Sequence, residues 1–344
     1  MKKSNKKYII PAVLMIAAGA FLYIAGLALG GSRTLVIEAN GRGGFPFLKT
    51  GGYLNTGLFG IYVDRGGYND FIINDDSPDI TAYGATSEFN GGGFGDFNVT
   101  VREKEKILRI VADVDRGDVI VKAGRELAVE AKNVRDEWFS ASITDDALYI
   151  TEKLPAGLDF IKTKKSEIII TVPASLKPDE INIYAAMGRI SAEGINASDI
   201  ILNAAMGNIA ARDLNATAMN FNGDMGKINV AGDMNAPGGM ELGCAVGSIE
   251  IKGNVNGNVT ADCAMGGFEL DGLVNGNIQA SCAMGGVKIT LKNDPSDFTY
   301  RLSALTAPKI NGGDAKNFKY YGQSSGKYSI DAHSDMGSVK LFFK

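Results

Sequence analysis

The sequence predicts an all-β protein: a parallel β-helix or β-solenoid of about eight turns, with an irregular β N-terminal cap, preceded by one transmembrane helix. Three observations predict it. A unit of about twenty residues recurs from residue 181 onward. Apolar residues alternate with period two on both sides of a glycine in each unit, the signature of two short strands meeting at a corner. Glycine and asparagine recur at fixed places inside every unit, which disfavours helix.

The chain opens on a basic tail, residues 1–7, in which Lys2, Lys3, Lys6 and Lys7 precede "YIIPAVLMIAAGAFLYIAGLALGG". That run, 8–31, carries no charge. At 1.5 Å per residue it crosses a hydrocarbon core of about 30 Å. Positive charge stays cytoplasmic, so the C-terminal domain is expected outside a cell membrane that the chain crosses once. The rival is a cleaved signal segment ending at the small residues Ala28-Leu29-Gly30, against which the run is longer than the usual apolar core of about 7–15 residues.

Composition narrows the partners. The whole chain carries net charge −4, and the four N-terminal lysines account for +4, so the remainder carries −8. Phosphate recognition needs clustered Lys and Arg, so no nucleic acid is expected. One histidine and one tryptophan leave little for acid–base or haem chemistry.

Residues 32–95 are glycine-rich and read as a stalk or loop with short strands. Residues 96–180 carry clear strand patterns, among them "ILRIVADVDRGDVIVKAG" and "SEIIITVP", and read as the N-terminal β region covering one end of the array. Within it "DVDRGDVIV" is a distant version of the glycine corner.

The repeats occupy 181–344. Their reference positions are Met187, Met206, Met225, Val246, Met265 and Met284, at spacings of 19, 19, 21, 19 and 19. Each is followed by glycine, and three residues later by Ile190, Ile209, Ile228, Ile249, Phe268 or Val287. Asn196, Asn215, Asn235, Asn256 and Asn275 mark another corner, where amides can stack as a ladder. Phe298, Tyr300, Leu302 and Ala304 continue the alternation, a loop follows at 311–328, and residues 330–341 restore the pattern in a last turn. At about 4.8 Å per turn the array is roughly 40 Å long.

Cys244, Cys263 and Cys282 fall in one column with Ala185, Ala204, Gly223 and Ser334, a place for small buried side chains. Stacked Cβ atoms about 4.8 Å apart exceed disulfide spacing, so three free thiols are expected. Extending the left-hand alternation puts the methionine column inside as well, where a charge such as Met206→Asp would be severe. No metal, cofactor or catalytic residue is expected: the soft-metal pattern CxxC and converging histidines are missing from the sequence.

The stretch "IIITVPASLKPDEINIYAAMGRISAEGINASDIILNAAMGNI" resembles the "putative adhesin" domain family, β-repeat-containing bacterial surface proteins. The resemblance covers about 96–344 and implies an envelope-exposed solenoid, often behind one membrane anchor, with no catalytic residues to carry over.

The functional expectation is a non-enzymatic, membrane-anchored surface protein. It would serve as an adhesin or envelope scaffold, or as an accessory to envelope-stress signalling, meeting an envelope protein or glycan through its ectodomain. Phe318, Tyr320, Tyr321 and Tyr328 in the 311–328 loop are the candidate contact residues. The alternative is a carbohydrate-active β-helix enzyme, a polysaccharide hydrolase or lyase. Glu250 and Glu269 stack in adjacent turns at a separation suited to a retaining glycosidase, with Lys288 next in the column. Against it stand the lysine and the absence of an aromatic platform beside them. His333 reads as an outward surface residue.

Overall fold

Parallel stacking begins at Arg109. The structure, a computed structural model, describes residues 95–101, 107–135, 137–154, 164–315, 319–322 and 325–344, with the backbone of short strands at Thr34–Val36, Gly52–Asn55, Gly60–Val63 and Thr86–Glu88. The expected anchor, 8–31, lies outside the described residues, as does most of the glycine-rich segment. No helix among the described residues is long and apolar enough to cross a membrane.

Two compact units are present. The smaller, 1–44 with 50–68, holds a three-stranded sheet in which Gly60–Val63 runs parallel to Thr34–Val36 and antiparallel to Gly52–Asn55. The larger, 45–49 with 69–344, holds the stack.

Eight rungs make up the middle of the parallel stack among the described residues, and further parallel strands lie on each end. The eight are Arg109–Gly124; Glu180–Met187 with Ile190–Glu193; Asp199–Met206 with Ile209–Arg212; Ala218–Asn235; Gly239–Asn256; Val259–Asn275; Ile278–Met284 with Val287–Leu291; and Tyr328–Met336 with Val339–Phe343. The first rung is the "DVDRGDVIV" segment, so the stack starts well before residue 181: Ile110 sits beside Ile181 and Val119 beside Ile190. Its inward residues Ile110, Val114, Val119 and Val121 are fully buried and extend the same columns.

Each rung buries every second residue on two faces and turns at a glycine between them. At the corner the chain must pass within contact of the rung beneath. A Cβ on Gly266 would lie 1.5 Å from the Gly247 carbonyl oxygen, and one on Gly285 would lie 1.4 Å from that of Gly266. Both glycines have φ between +140° and +149°, a region closed to L side chains. On the third face the asparagine column forms the expected ladder. Asn215 donates to Asn196 at 3.0 Å, Asn235 to Asn215 at 2.7 Å and Asn256 to Asn235 at 2.6 Å. Next to that column the Asn293 side chain holds the Val274 backbone, accepting from Val274 N at 2.9 Å and donating to Val274 O at 3.0 Å.

The chain order breaks at the C-terminal end. Phe298–Ser303 does not follow rung seven in space. The last rung slots between them, with Ile330 beside Ile278 on one side and Tyr300 on the other. The outer strand is then free to pair antiparallel with Lys319–Gly322, and Lys309–Ile310 likewise turns back on Gly313–Asp314. At the N-terminal end Ser166–Pro173 and Ala147–Glu152 lie parallel on rung one, and antiparallel partners cover them. Both ends of the parallel array are thus closed by hairpin-like strands, which removes open edges that could recruit other chains.

Candidate functional site

Cys244, Cys263 and Cys282 lie in one register column between Gly223 and Ser334. All three are buried and free. Each thiol donates to a corner carbonyl at 3.6–3.7 Å. Burial, with Asp224 nearby, pushes the Cys244 thiol up to about 11, and a hydrogen bond to Cys282 with burial pushes Cys263 up too. The same contact moves Cys282 the other way, so it is Cys244 and Cys263 that protonation makes poor nucleophiles and poor metal ligands. Among the described residues no group of three His, Cys, Asp or Glu side chains is placed to hold a metal ion.

The methionine column is not inside. Met187, Met206, Met225, Val246, Met265, Met284 and Met336 are aligned rung on rung. Met225, Val246, Met265 and Met336 are 41–45% exposed. The corner rotates this position outward and turns the preceding one toward the interior, where Ala186 and Ala205 are buried. The result is an apolar ridge about 29 Å long at the strand spacing.

Asp224 stands at the same position in rung four, where it is half-buried rather than enclosed. Its counterparts are Ala186, Ala205, Ala245, Ala264 and Ala283. Burial alone pushes its carboxyl up to about 6. The folded value lies above the unfolded one near 4, so the fold favours the protonated acid, and stability is lost as pH rises from about 4 through about 6. Asp224→Ala is therefore expected to stabilise the protein by about 1–3 kcal/mol at pH 7. The gain should shrink toward zero below about pH 4, as read from denaturant melts across that range. A pH-independent gain would show that the carboxyl is not the cause.

Beside the ridge runs a surface groove of about 420 Å³, lined by Lys227, Ser248, Gly267, Gly286, Ser338 and, on the far side, Glu250, Glu269, Lys288 and Lys340. The stacked acids of the sequence do meet here: Glu250 pairs with Glu269 in register, and Glu269 with Lys288. Each acid is engaged by its own lysine, Glu250 by Lys252 and Glu269 by Lys288 at 2.5 Å. All four side chains are a third or more exposed, so water reaches both carboxylates. A glycosidase acid is screened from water and from cations, and this pair is screened from neither.

His333 contacts Ser303 at 2.7 Å and Asp335 at 2.9 Å, a sequence of types found in hydrolase triads. Ser303 and His333 are simply neighbours in paired strands, the histidine side chain is 45% exposed, and the trio lies outside the groove. Glu152, which the sequence did not single out, is 4% exposed and accepts from Ser166 at 2.8 Å; burial pushes it up to about 7. It belongs to the N-terminal cap, next to Lys153, which bridges Asp113 and Asp115 at 2.6 and 3.2 Å.

Of the loop aromatics, Phe318 lies outside the described residues, and only the backbone of Tyr321 is described. Tyr320 stacks on Tyr300 at 6.0 Å between ring centres, and Tyr328 packs on Phe298 at 5.7 Å with Lys327 Nζ over its ring at 4.8 Å. Both are partly buried against the core, covering its C-terminal end.

The fold defines a β-solenoid-like repeat protein that carries the open groove on its lateral face. The chain belongs to the Toastrack DUF4097 family, whose model matches residues 94–342. No curated protein matches it in sequence. Among solved structures it is similar to a "putative adhesin" from Bacteroides fragilis, at 14% identity over 72% of this chain and 96% of that one, with a TM-score of 0.36. A "putative cell adhesion protein" from Clostridium sporogenes gives 14% over 73% and 100%, TM-score 0.29. A "putative lipid binding protein" from Parabacteroides distasonis gives 13% over 74% and 98%, TM-score 0.27. At such scores these likenesses carry no argument about ligand or mechanism.

Proposed function

We propose that the chain is a non-enzymatic surface protein, anchored in the cell membrane by residues 8–31, that presents its lateral face outside the membrane to an envelope protein or glycan. The observation that carries this reading is the groove at Glu250 and Glu269. It is the place where stacked acids would make a hydrolase, and there both acids are exposed and lysine-paired. Rigid columns of outward side chains suit extended contact, as an adhesin or an envelope scaffold would use. The aromatic C-terminal end, with Tyr320 and Tyr328, is the second candidate contact surface.

The test is a capture of cross-linked partners from envelopes with the full-length chain, alongside incubation with wall glycans. Capture of one envelope component is expected, with no release of reducing or unsaturated sugar ends. Glu250→Gln and Glu269→Gln should leave stability unchanged. Sugar release abolished by either substitution would establish the carbohydrate-active enzyme instead.

A further inference from the structure

The corner glycines are required by the fold, but the residues that follow them in rungs six and seven are glycine under much weaker constraint. A Cβ on Gly286 would meet nothing closer than the Ser338 oxygens at 3.6 and 3.7 Å, and one on Gly267 would come to 3.3 Å from the Gly286 oxygen. Neither has a positive φ. The same outward position holds Arg189, Asn208 and Lys227 in earlier rungs, so the site accepts long side chains. Leaving it bare on two adjacent rungs lets another surface come close.

Three neighbouring columns share one symmetry across these rungs. The ridge reads Val246, Met265, Met284, Met336. The groove floor reads Ser248, Gly267, Gly286, Ser338. The charged wall reads Glu250, Glu269, Lys288, Lys340. Reversed end to end, the ridge stays apolar, the floor is unchanged, and the wall becomes its own complement.

We propose that this face pairs with a second copy of the chain, antiparallel, about a two-fold axis passing between rungs six and seven. Met265 then meets the partner copy's equivalent of Met284, glycine meets glycine, and each of Glu250 and Glu269 faces a lysine of the other copy. This is the self-complementary arrangement that a two-fold interface requires. Charge complementarity sets the register and the antiparallel sense, and the methionines supply adaptable apolar contact. The four rungs and three columns span roughly 14 Å by 13 Å, far below the area of a stable dimer, so the pair is a weak, transient one. The proposal is independent of which envelope component the chain binds.

The test uses the full-length chain in mild detergent and sedimentation analysis. An all-acidic wall (Lys288→Glu with Lys340→Glu) and an all-basic wall (Glu250→Lys with Glu269→Lys) should each weaken self-association about tenfold or more. An equimolar mixture of the two should restore pairing. Gly286→Arg, in a column that already carries arginine, should abolish it while the melting temperature stays that of the parent. A parent chain that remains monomeric at about 1 mM, where a pair with a Kd near 1 mM would already be well populated, would overturn the proposal. So would undiminished association of either single-sign variant, the result expected if the chains met through residues 8–31, or a mixture that fails to pair.

Discussion

Gly266→Val is expected to prevent the stack from forming as a cooperative unit. Its Cβ would fall 1.5 Å from the carbonyl oxygen of Gly247, which is backbone and cannot swing aside. Relief means separating rungs five and six along their whole pairing, or forcing a β-branched residue to φ +140°. The expected loss is about 4 kcal/mol or more, read as a large fall in the denaturation midpoint or as failure to recover folded protein. The neighbouring residue supplies the control. Gly267→Ala places its Cβ a tight 3.3 Å from the Gly286 oxygen, which must give by only a few tenths of an ångström, and should cost about 1–2 kcal/mol. Equal losses at the two positions would mean that the corner is not where the rungs approach most closely.

Phe268→Ala is expected to cost about 3–5 kcal/mol, because it removes a ring that is 1% exposed from a column of Ile and Val. Met265, three residues away, is 43% exposed on the ridge, and Met265→Gln should change stability by about 0.5 kcal/mol. Thermal or urea melts of the two variants decide the matter. A large loss for Met265→Gln would return the methionines to the interior.

That contrast marks where sequence pattern stopped being informative. The inward residues before each corner lie two, four and six positions ahead of the methionine, and those after it lie three and five positions behind. The two sets have opposite parity, so alternation must break somewhere between them. Period two cannot say on which residue. Continuing the left-hand set through Met206 or Met265 puts them inside, whereas the structure breaks phase one step earlier and spends the corner on methionine. The small column of Cys244, Cys263 and Cys282 was legible because it lies within the unbroken alternation. So was the Glu250, Glu269, Lys288 column, which lies within the unbroken set on the other side.

Spatial order at the C-terminal end was not legible for a different reason. Alternation in Phe298, Tyr300 and Leu302 identifies a strand with one buried face, but rung seven and the last rung offer equivalent apolar partners. What decides is the outer edge: Tyr300, stacked with Tyr320 and close to Phe343 at 6.2 Å, suits the end of a core better than its middle. The loop aromatics read as exposed because the sequence gives no sign that the 319–322 strand folds back over that end. The first rung was half legible. Its glycine corner is visible at Gly117, but about fifty residues of cap separate it from rung two, and a search for a fixed period passes over such a gap.

The insertion of Tyr328–Phe343 between rung seven and the Phe298–Ser303 strand bears on how the molecule is made. A chain emerging N-terminus first can lay down rungs in succession as far as Leu291. The next segment to arrive has no permanent place beside that rung, because the space belongs to residues synthesised later. At roughly 5–20 residues per second the open edge of rung seven waits several seconds for its partner. During that interval it is a parallel template of the kind that captures stray strands, or the Phe298–Ser303 segment occupies it and must be displaced. Completion of this array is thus a closing event, with the final strand acting as a bolt slid home after the door has shut.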